Sequence, residues 1–214
     1  MSPTVLPQVA SMALRAREIT LADEAALQCF FVANPDYFHI VHGSAPQPDE
    51  ARDEIQDSLP AGWSFTRKWK IGFFDARDEL VAFSSIVSDL MVVGVWHIGL
   101  FMVATARQGS GIARQLHRAL QDWAGQQGAR WLRLVVVEDN LRARAFWSGC
   151  GYVLVRRRDD IEMGLLRHRV HIMVKPVVQA GLADYLELMP YDRSEPAEPV
   201  ATTPPSGAAG APGR

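Results

Sequence analysis

The chain has 214 residues, a formal net charge of −2 and a pI near 6.3, with 48% hydrophobic residues. That length supports one domain with a sizeable core plus appendages, and the near-neutral balance disfavours a general nucleic-acid binder, which would normally be basic. Two cysteines, Cys29 and Cys150, build neither a disulfide framework nor a metal site, and no apolar run is long enough to span a membrane, so the expected setting is a reducing cytoplasm.

Residues 1–12 contain Pro3 and Pro7 and little periodicity, and read as a flexible leader. Residues 13–19 alternate and predict a first strand. Thr20 and Asp23 give a capping-box-like start to a helix carrying Leu21, Leu27, Phe30 and Phe31, which Asn34-Pro35 ends. Cys29 falls inside that pattern and is expected to be buried filler. Residues 34–47 read as a polar-aromatic loop holding Asp36, Tyr37, Phe38, His39 and His42. Pro48-Asp49-Glu50 opens a second helix whose first turn is acidic, as the helix dipole favours. Apolar runs at 69–74 and 80–87, joined by 75–79, predict a hairpin. A third strand follows at 92–103. Beyond a short loop, Ile112, Leu116, Ala119, Leu120 and Trp123 recur at helical spacing until Gly128. Residues 131–137 predict a buried strand, 140–148 a short helix, and 152–156 and 170–174 two more strands. The order is β-α-α-β-β-β-α-β-α-β-β, a mixed α/β domain over 13–176. Residues 177–190 fit either a docked helix or an interface element. Residues 191–214 are rich in Pro, Ala, Gly, Ser and Thr and predict disorder.

The loop at 107–113 is the most informative stretch. A strand runs into Arg107-Gln108-Gly109-Ser110-Gly111 and straight on into a helix, which presents bare backbone N–H groups where the helix dipole favours an anion. Gly109 and Gly111 allow close approach, and Arg107 and Gln108 add side-chain donors. A phosphate or pyrophosphate is the expected ligand. Ile112-Ala113 excludes a Walker loop, which needs Lys followed by Ser or Thr. A dinucleotide fingerprint would need glycine or alanine where Arg114 stands, leaving a nicotinamide-dependent oxidoreductase as a weak alternative.

Gln108-Gly109-Ser110-Gly111-Ile112-Ala113 fits Gln/Arg-x-x-Gly-x-Gly/Ala, and so resembles the acyl-CoA loop of the GCN5-related N-acetyltransferase (GNAT) superfamily. Asn140-Leu141-Arg142-Ala143-Arg144-Ala145-Phe146-Trp147, closed by Gly151-Tyr152, is similar to that family's second signature. The resemblance covers roughly residues 14–176. It implies a GNAT-like mixed, mostly antiparallel central sheet flanked by helices, and transfer of an acetyl group from acetyl-CoA to a primary amine. Acetyl-CoA would lie where the strand at 100–104 parts from that at 131–137. Backbone groups of Phe101, Met102 and Val103 would bind the pantetheine arm, and residues 108–113 the pyrophosphate. Asn140, Ala143, Phe146 and Trp147 would complete the wall. The backbone N–H of Met102 or Val103 would steady the oxyanion. No metal is implied.

Trp147 stands where many members carry a Tyr that protonates the departing thiolate. An indole N–H cannot serve as that acid, yet a thiol with a pKa of about 8.5 leaves without help. The residue reads as a ring packed beside the pantetheine arm. Cys150, close by, reads as a packing residue. Candidates for the base that frees the amine are His97, Glu138 and Asp89. Asp36, Tyr37 and His39, between the first two helices, would meet the acceptor. Expected partners are a small-molecule or peptide amine, with no nucleic acid and no membrane; a homodimer is left open. The alternative reading is a non-catalytic CoA sensor or scaffold on the same fold.

Overall fold

A computed structural model describes residues 6–193. The first five residues of the expected leader and the tail from 194 onward lie outside the described residues. Seven strands form one sheet: β1 (Arg15–Glu18), β2 (Arg67–Phe74), β3 (Leu80–Ser88), β4 (Val95–Val103), β5 (Trp131–Val137), β6 (Val153–Met163) and β7 (Leu166–Pro176). Their order across the sheet is β1-β2-β3-β4-β5-β7-β6. Every neighbouring pair is antiparallel except β4 and β5. A doubly wound dinucleotide fold needs a mostly parallel sheet, so the oxidoreductase alternative falls.

Two helices, α4 (Ile112–Gln126) and α5 (Leu141–Gly149), cover one face. Leu116, Leu120 and Trp123 of α4 bury against Ile71, Ile98 and Leu134 of the sheet. Trp69, Trp96 and Trp123 pack as a trio with ring centroids 5.0–5.4 Å apart, a geometry worth about 1 kcal/mol per pair beyond area burial. The other face carries α1 (Glu24–Ala33), α2 (Asp36–His42) and α3 (Glu50–Gln56). There Phe31 packs edge-on against Phe38 and Phe83. The Thr20–Asp23 capping box forms as expected, with Thr20 N–H donating to Asp23 Oδ2 at 2.9 Å.

Several expectations are corrected. Residues 34–47 are not all loop. Pro35 starts α2, Gly43 closes it in the left-handed region, and Phe38 and Val41, three apart, supply its buried face. The helix was hidden by its seven-residue length and by the polar residues interleaved with its apolar ones. Cys29 is exposed, because it lies on the side of α1 away from Leu27, Phe30 and Phe31. The part of the leader that is described packs down: Val9 is buried in the core. Strands β6 and β7 run eleven residues each, past the charged stretch at 156–160 that hid them. The hairpin they form grips α2. Leu165 N–H donates to His42 O at 2.8 Å, and His168 Nε2–H donates to Val41 O at 2.9 Å.

The extension at 177–190 forms α6 (Leu182–Leu188). Tyr185 inserts beside Trp131, centroids 5.2 Å apart, among Ile172 and Val174. Disorder was expected from residue 191, but residues 190–192 form a short turn and the buried Asp192 reaches Arg133 on β5.

Candidate functional site

The one parallel pair in the sheet creates the site. Strands β4 and β5 pair only from Val95–Trp131 to Ile98–Leu134. On its other edge β4 takes a bulge. Ile98 stands opposite Ile86 and Leu100 opposite Ser85, so Gly99 has no partner. A bulge bends its strand, and from Gly99 to Val103 the edge of β4 that faced β5 is open. Unpaired strand edges carry free N–H and C=O groups that can receive an extended ligand. The opening leads into a cavity of about 770 Å³ that runs from one face of the sheet to the other. Phe101, Met102 and Val103 line it on one side, and residues 134–137 on the other.

At one end stands the N-terminus of α4. Gly109 and Gly111 have φ of +80° and +84°, and a Cβ added to either meets nothing within 4 Å. Both glycines suit a backbone conformation that other residues adopt only with strain, while the space above them stays open. Among the described residues, no backbone acceptor meets the N–H groups of Gly109, Ser110 or Gly111. Gln108 bridges the loop to the rest of the site: its amide N–H donates to Val103 O at 2.9 Å, and its Oε1 accepts from Arg142. Gln108, Gly109 and Ala113 line the cavity, whereas Arg107, Ser110, Gly111 and Ile112 do not. Arg107 turns to Asp75 (3.2 Å), Ser110 Oγ donates to Arg107 O (2.6 Å), and Ile112 packs on the core.

The opposite wall is α5. Asn140 caps it by accepting from Ala143 N–H at 3.0 Å, a satisfied N-cap that fixes the helix start at the cavity edge. Ala143, Phe146 and Trp147 line the cavity with Asn140. Trp147 is only 7% exposed, wedged among Phe101, Phe146, His117 and Tyr152 at centroid distances of 4.9–5.7 Å. Behind it, His117 Nε2 and Tyr152 Oη are 3.0 Å apart. Burial lowers the His117 pKa to about 4 and raises Tyr152 well above its ordinary value. Burial also pushes the Cys150 thiol up, which opposes a nucleophilic role.

At the far end, Asp36 and Tyr37 line the cavity and His39 does not; its side chain is exposed. Burial, reinforced by the nearby carboxylates of Glu54 and Glu50, drives the Tyr37 phenol far above its ordinary pKa. Of the three expected bases, only His97 lines the cavity. Glu138 is turned to His171 (3.2 Å) and Arg169 (3.5 Å). Asp89 accepts from Gly94 N–H at 2.8 Å in the turn before β4. His97 Nδ1 lies 3.3 Å from Arg133 Nη1. Burial first, then the Arg133 charge, lowers its pKa to about 3, so the ring is neutral at physiological pH and a poor proton acceptor for an ammonium group.

Sequence reasoning missed Arg133, Arg142, Trp63, Ile161 and Met163, all of which line the cavity. Arg142 lies inside the second signature and could have been singled out by position. The others sit where only the fold brings them, on an interior strand, a loop and the long hairpin.

The acetyltransferase (GNAT) family model matches residues 27–152. An acetyltransferase from Thermus thermophilus superposes with a TM-score of 0.60 at 21% identity, covering 77% of this chain and 97% of that one. The spermidine N-acetyltransferase of Vibrio cholerae, solved with CoA and spermine, gives 0.59 at 17% identity, covering 77% and 96%. The ribosomal-protein-S18-alanine N-acetyltransferase of Escherichia coli gives 0.54 at 16%, covering 78% and 96%. A search of the curated proteins finds no match.

Proposed function

The chain belongs to the GNAT acetyltransferase family, and we propose that it transfers an acetyl group from acetyl-CoA to a primary amine by direct attack on the thioester. The observation that carries this reading is the cleft between β4 and β5, one cavity continuous from the glycine loop at α4 to the chamber beyond the sheet. A solved GNAT neighbour is described with CoA bound. The residues present fit such a co-substrate. The open N–H groups at 109–111 and the Arg142 guanidinium suit a pyrophosphate. The open edge of β4 suits an amide-bearing arm.

Bound there, acetyl-CoA supplies an activated acyl group. The chain supplies position and charge. The β4 backbone at Val103 offers an N–H to the oxygen that gains charge, whereas the Met102 N–H turns toward β3. Asp36 holds the incoming ammonium at the exposed mouth, where its proton passes to solvent before attack. The indole of Trp147 excludes water from the reacting carbon and takes no part in proton transfer. The same reading expects a cytoplasmic protein; among the described residues, no helix is long and apolar enough to cross a membrane.

Trp147 in place of a phenol also favours the second reading, a CoA sensor without turnover. One assay separates them: free thiol released from acetyl-CoA over a panel of primary amines. Amine-dependent release supports the enzyme, and tight CoA binding with no release for any amine supports the sensor.

A further inference from the structure

The chamber at the acceptor end has His97 on its floor, with the Arg133 guanidinium behind it. His97 sits on β4 one residue before the strands part, opposite Arg133 on β5. Its Nδ1 is 3.3 Å from Arg133 Nη1. A guanidinium has no acceptor lone pair, so Nδ1 accepts and the neutral imidazole carries its proton on Nε2. Arg133 cannot turn away to release it. Its Nε and Nη2 are held by Asp192 at 2.8 and 3.1 Å, and both side chains are almost fully buried. Asp192 also accepts from Tyr185 at 2.5 Å. The C-terminal segment therefore locks the tautomer of a cavity-lining residue far from it in the chain. The walls above are mostly apolar, from Ile40, Val41, Trp63, Ile161, Met163 and Ile172, with the Asp36 carboxylate at the mouth and Tyr37 and Arg158 beside them.

A bare polyamine meets this floor badly. Its nitrogens are donors when protonated, and they would face an N–H backed by a cation. From the His97 donor and the mostly apolar walls, and resting on the acetyl-transfer reading, we propose that the acceptor is an amine bearing a nearby carbonyl or carboxylate oxygen and a large apolar side chain. Hydrophobic amino acids and peptide N-termini that begin with such residues share this chemistry. His97 Nε2–H binds the oxygen, which places the amine on the thioester side of the chamber.

The test is calorimetry on the full-length protein saturated with CoA, using acetylated products so that turnover is not needed. The first titration, CoA alone, must show saturable binding; its failure overturns the acetyl-transfer reading and this assignment with it. N-acetyl-phenylalaninamide is then compared with N-(2-phenylethyl)acetamide, which lacks only the carboxamide, and with an acetylated spermidine. The carboxamide compound is expected to bind about tenfold more tightly than its truncated partner, the weight of one hydrogen bond in a desolvated site. In His97→Phe the ratio falls toward one. In His97→Gln, which retains a donor, it partly returns. N-acetyl-phenylalanine and an acetylated Phe-initiated tetrapeptide distinguish a free amino acid from a peptide end. Equal binding of the matched pair, a ratio that survives in His97→Phe, no binding of any product to the CoA-loaded protein, or tightest binding of acetylspermidine overturns the assignment.

Discussion

Asp192→Asn removes one charge and almost no volume. Its effect can be worked from the geometry around Arg133. The wild-type carboxylate accepts two hydrogen bonds from the guanidinium, at 2.8 and 3.1 Å, and one from Tyr185. The Arg133 and Asp192 side chains are 6% and 3% exposed. A buried histidine or lysine could shed its proton when left alone, but arginine cannot. The variant must therefore keep an uncompensated cation in the sheet, at a cost of about 3–5 kcal/mol. For a domain of this size each kcal/mol shifts Tm by about 2–4 °C, so the melting temperature should fall by roughly 6–20 °C. Circular dichroism melts at pH 7 measure it. The double variant Arg133→Met, Asp192→Leu removes both charges and should recover most of the loss. A single variant melting within about 1 °C of wild type would refute the reasoning, since Asp192 would not then be docked on β5.

Acid stability tests the buried histidines. Burial lowers His97 to about 3 and His117 to about 4 from an ordinary 6.5. Below pH 6.5 the unfolded chain binds protons that the folded chain refuses, so stability should fall as pH drops from 6.5 toward 4. Its slope approaches about 1.4 kcal/mol per pH unit for each group; urea melts that do not change between pH 7 and 5 would contradict this. Asp36→Asn should lower kcat/KM for amine acceptors about threefold, and more at low salt, because an exposed ion pair is worth about 1 kcal/mol or less; unchanged kinetics would remove Asp36 from the site. Arg142→Ala frees Gln108 and takes a cation from the phosphate end. Its KM for acetyl-CoA should rise about tenfold with kcat little altered, and a fall in kcat at unchanged KM would place Arg142 elsewhere.

The elements that were legible in the sequence are those whose periodicity serves a buried face. Strand β5 appears with the bounds its apolar run predicts, and the α4 stripe of Leu116, Leu120 and Trp123 is the face that packs. The glycine loop was legible because its chemistry is local. Phe101 to Val103, Gln108, Gly109, Ala113, Asn140, Ala143, Phe146 and Trp147 all line the cleft, and Arg142 joins them from within the second signature. The acceptor chamber was not legible, because it is assembled from parts far apart in the chain. Helix α2 is too short to show a period. The β6–β7 hairpin is exposed over much of the length of β6, so charged residues interrupt its alternation. The fate of Glu138 turned on side-chain direction: it follows β5 as expected but meets His171 and Arg169 instead of the cleft. Nothing at residue 192 marks an aspartate destined for a sheet-bound arginine, since the partners are 59 positions apart.

The most direct test is a calorimetric titration of acetyl-CoA into the wild type and into Gly111→Asp. Aspartate is among the residues that tolerate a left-handed backbone, and its side chain would enter space that is open beside Gly111, bringing negative charge to the expected pyrophosphate. Saturable binding to the wild type, lost or at least tenfold weaker in a variant that still melts cooperatively, is the predicted result, a tenfold loss being about 1.4 kcal/mol. A folded wild type that takes up no acetyl-CoA would contradict the account.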